Sequence, residues 1–121
     1  MEKKTTLVIG ASANPSRYSY LAVQKLRAHQ QPVIALGIKK GMIGNTEIET
    51  EKKAFENVGT VTLYLNPLRQ KDYYDYILSL QPQRIIFNPG TENEELYHLA
   101  QQKGIKTMEA CTLVLLSTGQ Y

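Results

Sequence analysis

The sequence predicts an α/β fold: a Rossmann-like, doubly wound and mostly parallel sheet of five to six strands with helices on both faces. Two observations carry this. Short apolar runs that stop at glycine or Asn-Pro alternate along the whole chain with segments whose apolar residues recur every three or four positions. The distance from each run to the next suits a crossover helix rather than a hairpin, which makes neighbouring strands parallel. The length, 121 residues, is enough for one core and too short for two, so residues 1–121 read as a single domain.

The first element is the apolar run Thr5 to Ile9, which breaks at Gly10. A polar loop, Ala11-Ser12-Ala13-Asn14, then leads into a helical pattern beginning at Pro15, with Pro15 suited to the first helical position and Asn14 to the cap before it. Loop amides and the positive end of a helix dipole form an anion site. Ser12 adds a hydroxyl and Arg17 a forked cation, so the anion expected is a phosphate or diphosphate.

Tyr18, Leu21, Ala22 and Leu26 mark one face of the first helix, which ends near His29. Pro32 to Leu36 is the second strand, closed by Gly37. A dinucleotide site that prefers NAD carries an acidic residue at this strand end, to hold the ribose diol. Here Gly37-Ile38 is followed by Lys39 and Lys40, which favours a ligand with an extra phosphate on its adenosine ribose, with Lys39 the stronger candidate. Residues 46–50 alternate as a short edge strand.

Thr60 to Leu65 is the third main strand and stops at Asn66-Pro67, where ligand-bearing loops should gather. Tyr73, Tyr76, Ile77 and Leu80 form a second helical face ending at Pro82. Arg84 to Phe87 is a fourth strand, ending in Asn88-Pro89-Gly90. Thr91 and Glu94 fit a capping box for a helix running to Gly104, and the acidic start of that helix, Glu92 included, disfavours phosphate. Ile105 to Ala110 is the last strand, followed through Cys111 and Thr112 by a short buried helix.

Composition narrows the function. With 42% hydrophobic and 21% charged residues the chain has the makeup of a globular protein, and no apolar run approaches the length that crosses a bilayer. No signal-peptide pattern opens it, so a cytoplasmic location is expected, without membrane association. A net charge of +3 spread along the chain suits a polyanionic small molecule and falls short of a nucleic-acid signature. One cysteine and two distant histidines, His29 and His98, offer no metal site, and nothing in the spacing builds a catalytic acid, base or nucleophile. Cys111, at a strand-to-helix junction, is the one residue with thiol chemistry in reach, attack on a ligand disulfide that forms a mixed disulfide and releases the other half as a thiol; a small buried side chain is the plainer expectation.

Taken in order, Gly10-Ala11-Ser12-Ala13-Asn14-Pro15-Ser16-Arg17, Gly37-Ile38-Lys39, Tyr64-Leu65-Asn66-Pro67, Asn88-Pro89-Gly90-Thr91-Glu92 and Glu109-Ala110-Cys111-Thr112 resemble the small bacterial CoA-binding proteins. These are similar to the CoA-binding domain of the succinyl-CoA synthetase alpha subunit. The resemblance implies that Gly10, Ala11, Ser12, Asn14, Pro15 and Arg17 hold the phosphates of coenzyme A and that Lys39, beside Gly37, lies near the ribose phosphate. It also implies that Tyr64, Leu65, Asn66 and Pro67 together with Asn88, Pro89, Gly90 and Glu92 border the adenosine and pantetheine. The expected function is binding of coenzyme A or an acyl-CoA as a carrier, sensor or regulator, with no catalytic residue. Two alternatives stay open: an NADP-binding reductase subunit, and the CoA-binding subunit of an acyl-CoA synthetase whose catalysis lies on another chain. A homodimer or an unidentified protein partner is compatible with the leftover apolar faces.

Overall fold

The computed structural model describes residues 3–121. Strand β1 (Thr5–Ile9) leads to helix α1 (Tyr18–Ala28) and strand β2 (Val33–Leu36), then to a small hairpin of β3 (Met42–Ile43) and β4 (Thr46–Glu49). Strand β5 (Val58–Leu63) is followed by the short helix α2 (Pro67–Gln70), a tight helical turn at Lys71–Tyr73 and helix α3 (Tyr74–Ser79). Strand β6 (Arg84–Phe87), helix α4 (Glu94–Gln102), strand β7 (Lys106–Glu109) and helix α5 (Thr112–Ser117) complete the order.

The strands form one sheet in the order β3-β4-β2-β1-β5-β6-β7. Every pair is parallel except β3 with β4. The sheet therefore has seven strands where the sequence predicts five or six. The addition is β3, whose two residues are too few to show any periodicity.

The alternation of side chains sorts each strand between two cores. On one face Leu7, Ile9, Val61, Leu63, Ile85 and Phe87 pack with Ile77 of α3 and Leu96 and Ala100 of α4. On the other Val8 and Ala35 pack with Val23 and Leu26 of α1 and Leu116 of α5. All six residues of β5 are buried, as expected of a central strand covered on both sides. Among the described residues no helix is long and apolar enough to cross a membrane.

Because β1 is flanked by β2 and β5, the chain leaves its first crossover in one direction and its next in the other. The carboxyl ends of β1 and β5 thus form a topological switch point, where open α/β sheets leave a crevice for ligands.

Candidate functional site

Two glycines shape the crevice. Gly10 ends β1 with φ +95°, a left-handed conformation that a side chain would strain, and a Cβ there would press on the Tyr64 backbone at 3.0 Å. Gly37 ends β2 so close to the first loop that a Cβ would stand 2.3 Å from the Ala11 carbonyl oxygen. Both Gly10 and Ala11 donate their N–H groups to Leu36 O, which fastens the loop to the neighbouring strand.

The loop itself differs in detail from the sequence expectation. Asn14 is not the cap of α1: its Oδ1 accepts from the Ser16 N–H (3.0 Å) and hydroxyl (2.8 Å), and its carbonyl accepts from Arg17 N–H (3.0 Å). This closes a turn on itself through Pro15, leaves Arg17 extended as the residue before the helix, and delays the helix to Tyr18. The amides of Gly10, Ala11, Asn14, Ser16 and Arg17 are all engaged within the protein. Those of Ser12, Ala13, Tyr18 and Ser19 find no hydrogen-bond partner among the described residues, and all four residues line the crevice. The donors available to an anion are therefore these four.

The facing wall comes from the ends of β5 and β6. Asn66 caps α2 by accepting from Arg69 N–H (2.9 Å), with Pro67 at the first helical position. Thr91 is buried, its hydroxyl donating to Asn88 O (2.8 Å). Helix α4 starts from Asn93, whose Oδ1 accepts from Glu95 N–H (3.1 Å) and Leu96 N–H (3.3 Å), rather than from the Thr91–Glu94 box.

Between the walls lies an open cleft of about 710 Å³. Gly10, Ala11, Ser12, Asn14, Arg17, Gly37, Lys39, Tyr64, Leu65, Asn66, Pro89 and Gly90 line it, so the four stretches distant in sequence meet in one place. Pro15, Pro67, Asn88 and Glu92 do not. Asn88 is instead an internal connector, its Nδ2 donating to Thr62 Oγ1 (2.6 Å) and Leu63 O (2.8 Å) while its Oδ1 accepts from Thr112 N–H (2.9 Å). Glu92 lies outside the lining, its Oε1 accepting from Gly90 N–H (2.9 Å). Sequence reasoning missed Arg69, a single helical turn after Asn66, and Tyr73, which ends the tight turn after α2, and undervalued Lys40, which lines the cleft beside Lys39.

Among the described residues Arg17, Lys39, Lys40 and Arg69 are the only charged residues of this lining. Among these residues no carboxylate shares it, and none of the four cations forms an ion pair. The cleft is thus a positive concavity, with exposed Tyr18 and Ile38 as apolar surfaces at its rim. Tyr64 reaches inward from the lining: its hydroxyl is buried near Thr62 and Thr112, which bond each other (2.8 Å), and it has no hydrogen-bond partner among the described residues. Burial pushes that hydroxyl up to about 12.

The sequence of residues 4–117 matches the family described as CoA binding domain. This chain belongs to that family. None of the curated proteins compared with it matches. Among solved structures, an uncharacterized protein is 47% identical over the full length of both chains, with a TM-score of 0.96. A Thermus thermophilus protein is 19% identical, covering 98% of this chain and 91% of its own, at TM-score 0.84. A hypothetical protein from Pyrococcus horikoshii OT3 is 18% identical, covering 96% and 83%, at TM-score 0.86. The last two show the fold alone.

In this CoA binding domain the remaining sequence candidates sit apart from the cleft. Cys111 caps α5 and is half-buried, outside the lining. His29 caps the end of α1, and His98 lies on α4 with its Nε2 3.4 Å from Glu94 Oε2.

Proposed function

We propose that this domain binds coenzyme A or an acyl-CoA in the cleft at the switch point, as a carrier, sensor or regulator rather than as an enzyme. The observation that carries the reading is the lining: four unpaired cations, no carboxylate, and four free amides at the first loop and first helical turn. A ligand with a diphosphate and a further phosphate on its ribose matches that charge. The amides of Ser12, Ala13, Tyr18 and Ser19, with Arg17, would hold the diphosphate. Lys39 and Lys40, at the end of β2, would hold the ribose phosphate. The wall of Tyr64, Leu65, Pro89 and Gly90 would follow the pantetheine. Among the described residues the lining contains no His, Cys, Asp or Glu.

Thermal unfolding with CoA, dephospho-CoA, NAD and NADP tests the reading. A ligand at about 100 times its dissociation constant adds roughly 2.7 kcal/mol of stability. CoA stabilises more than dephospho-CoA, and the double change Lys39→Ala and Lys40→Ala removes most of that difference, since a charge-assisted contact is worth about 1.5–3 kcal/mol. Arg17→Ala weakens both ligands alike. Equal stabilisation by NADP, or none by CoA, refutes the proposal.

A further inference from the structure

Gln70 is wholly buried, although it ends a four-residue helix whose other residues are exposed. Its Nε2 donates to Leu65 O (2.8 Å) and to Thr91 O (2.8 Å), and its Oε1 accepts from Asn93 Nδ2 (2.9 Å). Asn93 carries the connection onward, donating from the same nitrogen to the Tyr74 hydroxyl (2.8 Å) while its Oδ1 caps α4. Both amide hydrogens of Gln70 are therefore used, one on each of two loops that leave different strands, and Leu65 and Thr91 both line the cleft. The opposite side of the cleft is fixed without it, by the Leu36 carbonyl and by the turn that Asn14 closes.

We infer that Gln70 is a positioning residue that joins the loops after β5 and β6 into one wall, and so sets the affinity for the part of the ligand lying over those strands. The inference rests on the reading of the cleft as a CoA site, in which that part is the pantetheine arm. Removing the bridge leaves a buried carbonyl at Thr91 and a part-buried one at Leu65 without their donor, so both loops loosen together.

Gln70→Met keeps the side-chain length and removes both donors. In isothermal calorimetry it lowers affinity for CoA by about tenfold or more, while adenosine 3′,5′-bisphosphate, which lacks the arm, changes by less than about twofold. Amide hydrogen exchange of the ligand-free protein rises together at residues 65–70 and 88–93 and stays unchanged at 10–17 and 37–40. Asn93→Asp keeps the capping oxygen but cannot donate to Gln70 Oε1, and it shifts the two ligands apart in the same direction. Parental binding of CoA by both variants, an equal loss of both ligands, or faster exchange in one loop alone overturns the inference. A parent protein that binds neither ligand refutes the CoA reading instead, and the exchange pattern then decides by itself whether Gln70 couples the loops.

Discussion

At the scale of single residues, Tyr64 joins the cleft to the protein's stability. Among the described residues its hydroxyl has no hydrogen-bond partner, and leaving such a group buried costs about 1–3 kcal/mol. Tyr64→Phe is therefore expected to hold or raise stability, by up to about 1 kcal/mol in urea unfolding at neutral pH. The same group makes stability fall in alkali. An unfolded tyrosine ionises near about 10, and the folded Tyr64 is pushed up to about 12 because burial opposes the charged form. Its contribution is present in full below the unfolded value and is lost as pH rises through the interval up to the folded one. Burial raises Tyr76 in the same direction, also to about 12, so Tyr64→Phe flattens only part of the alkaline decline. Urea midpoints between neutral pH and that interval check it; an unchanged slope in the variant contradicts the assignment. The sequence singled out Gly10, Arg17 and Lys39, all of which line the cleft, because each has a type suited to a turn or an anion. It did not show Arg69 or Gln70, because an arginine and a glutamine on a short helix look the same whether they face solvent, a cleft or a carbonyl.

At the scale of elements, strand positions were legible and helix starts were not. Arg84–Phe87 is where its apolar run places it, whereas α1 begins three residues after Pro15 and α4 is capped by Asn93. The reason is competition: Asn14 and Thr91 have side chains that satisfy nearby backbone groups in turns as readily as at a cap. The close approach of β2 to the first loop is the element-scale constraint with the clearest consequence. Gly37→Ala forces the new methyl against the Ala11 carbonyl, and we expect a loss of about 1–3 kcal/mol in denaturant unfolding, as for overpacking elsewhere. Displacement of Ala11 carries Ser12 and Ala13 with it, so ligand affinity falls as well. A variant as stable as the parent would mean that the loop yields freely.

At the scale of the whole molecule, the doubly wound architecture was readable because alternation between two periodicities persists from one end of the chain to the other. The β3–β4 hairpin was only half visible, since its first strand has two residues. The charge is more concentrated in space than in sequence: four cations from three separate segments surround one cleft that holds no acidic side chain among the described residues. Exposed charges are screened over about 10 Å at 0.1 M salt. We therefore expect affinity for CoA to fall by about an order of magnitude between roughly 0.05 and 0.5 M sodium chloride, while the unfolding midpoint of the free protein changes little. Affinity indifferent to salt would argue that apolar contacts at Tyr18 and Ile38 dominate instead.

The turn bearing Lys39 and Lys40 has a different standing from the rest of the lining. Both side chains are exposed and neither forms a hydrogen bond among the described residues, whereas Gly10 and Gly37 are held by steric necessity. If the cleft holds CoA as proposed, substitutions on this turn are expected to change which nucleotide is preferred without a penalty in folding. Descendants of one ancestral scaffold could thus diverge in ligand choice through a pair of codons, while the glycines on either side of the crevice stay immovable.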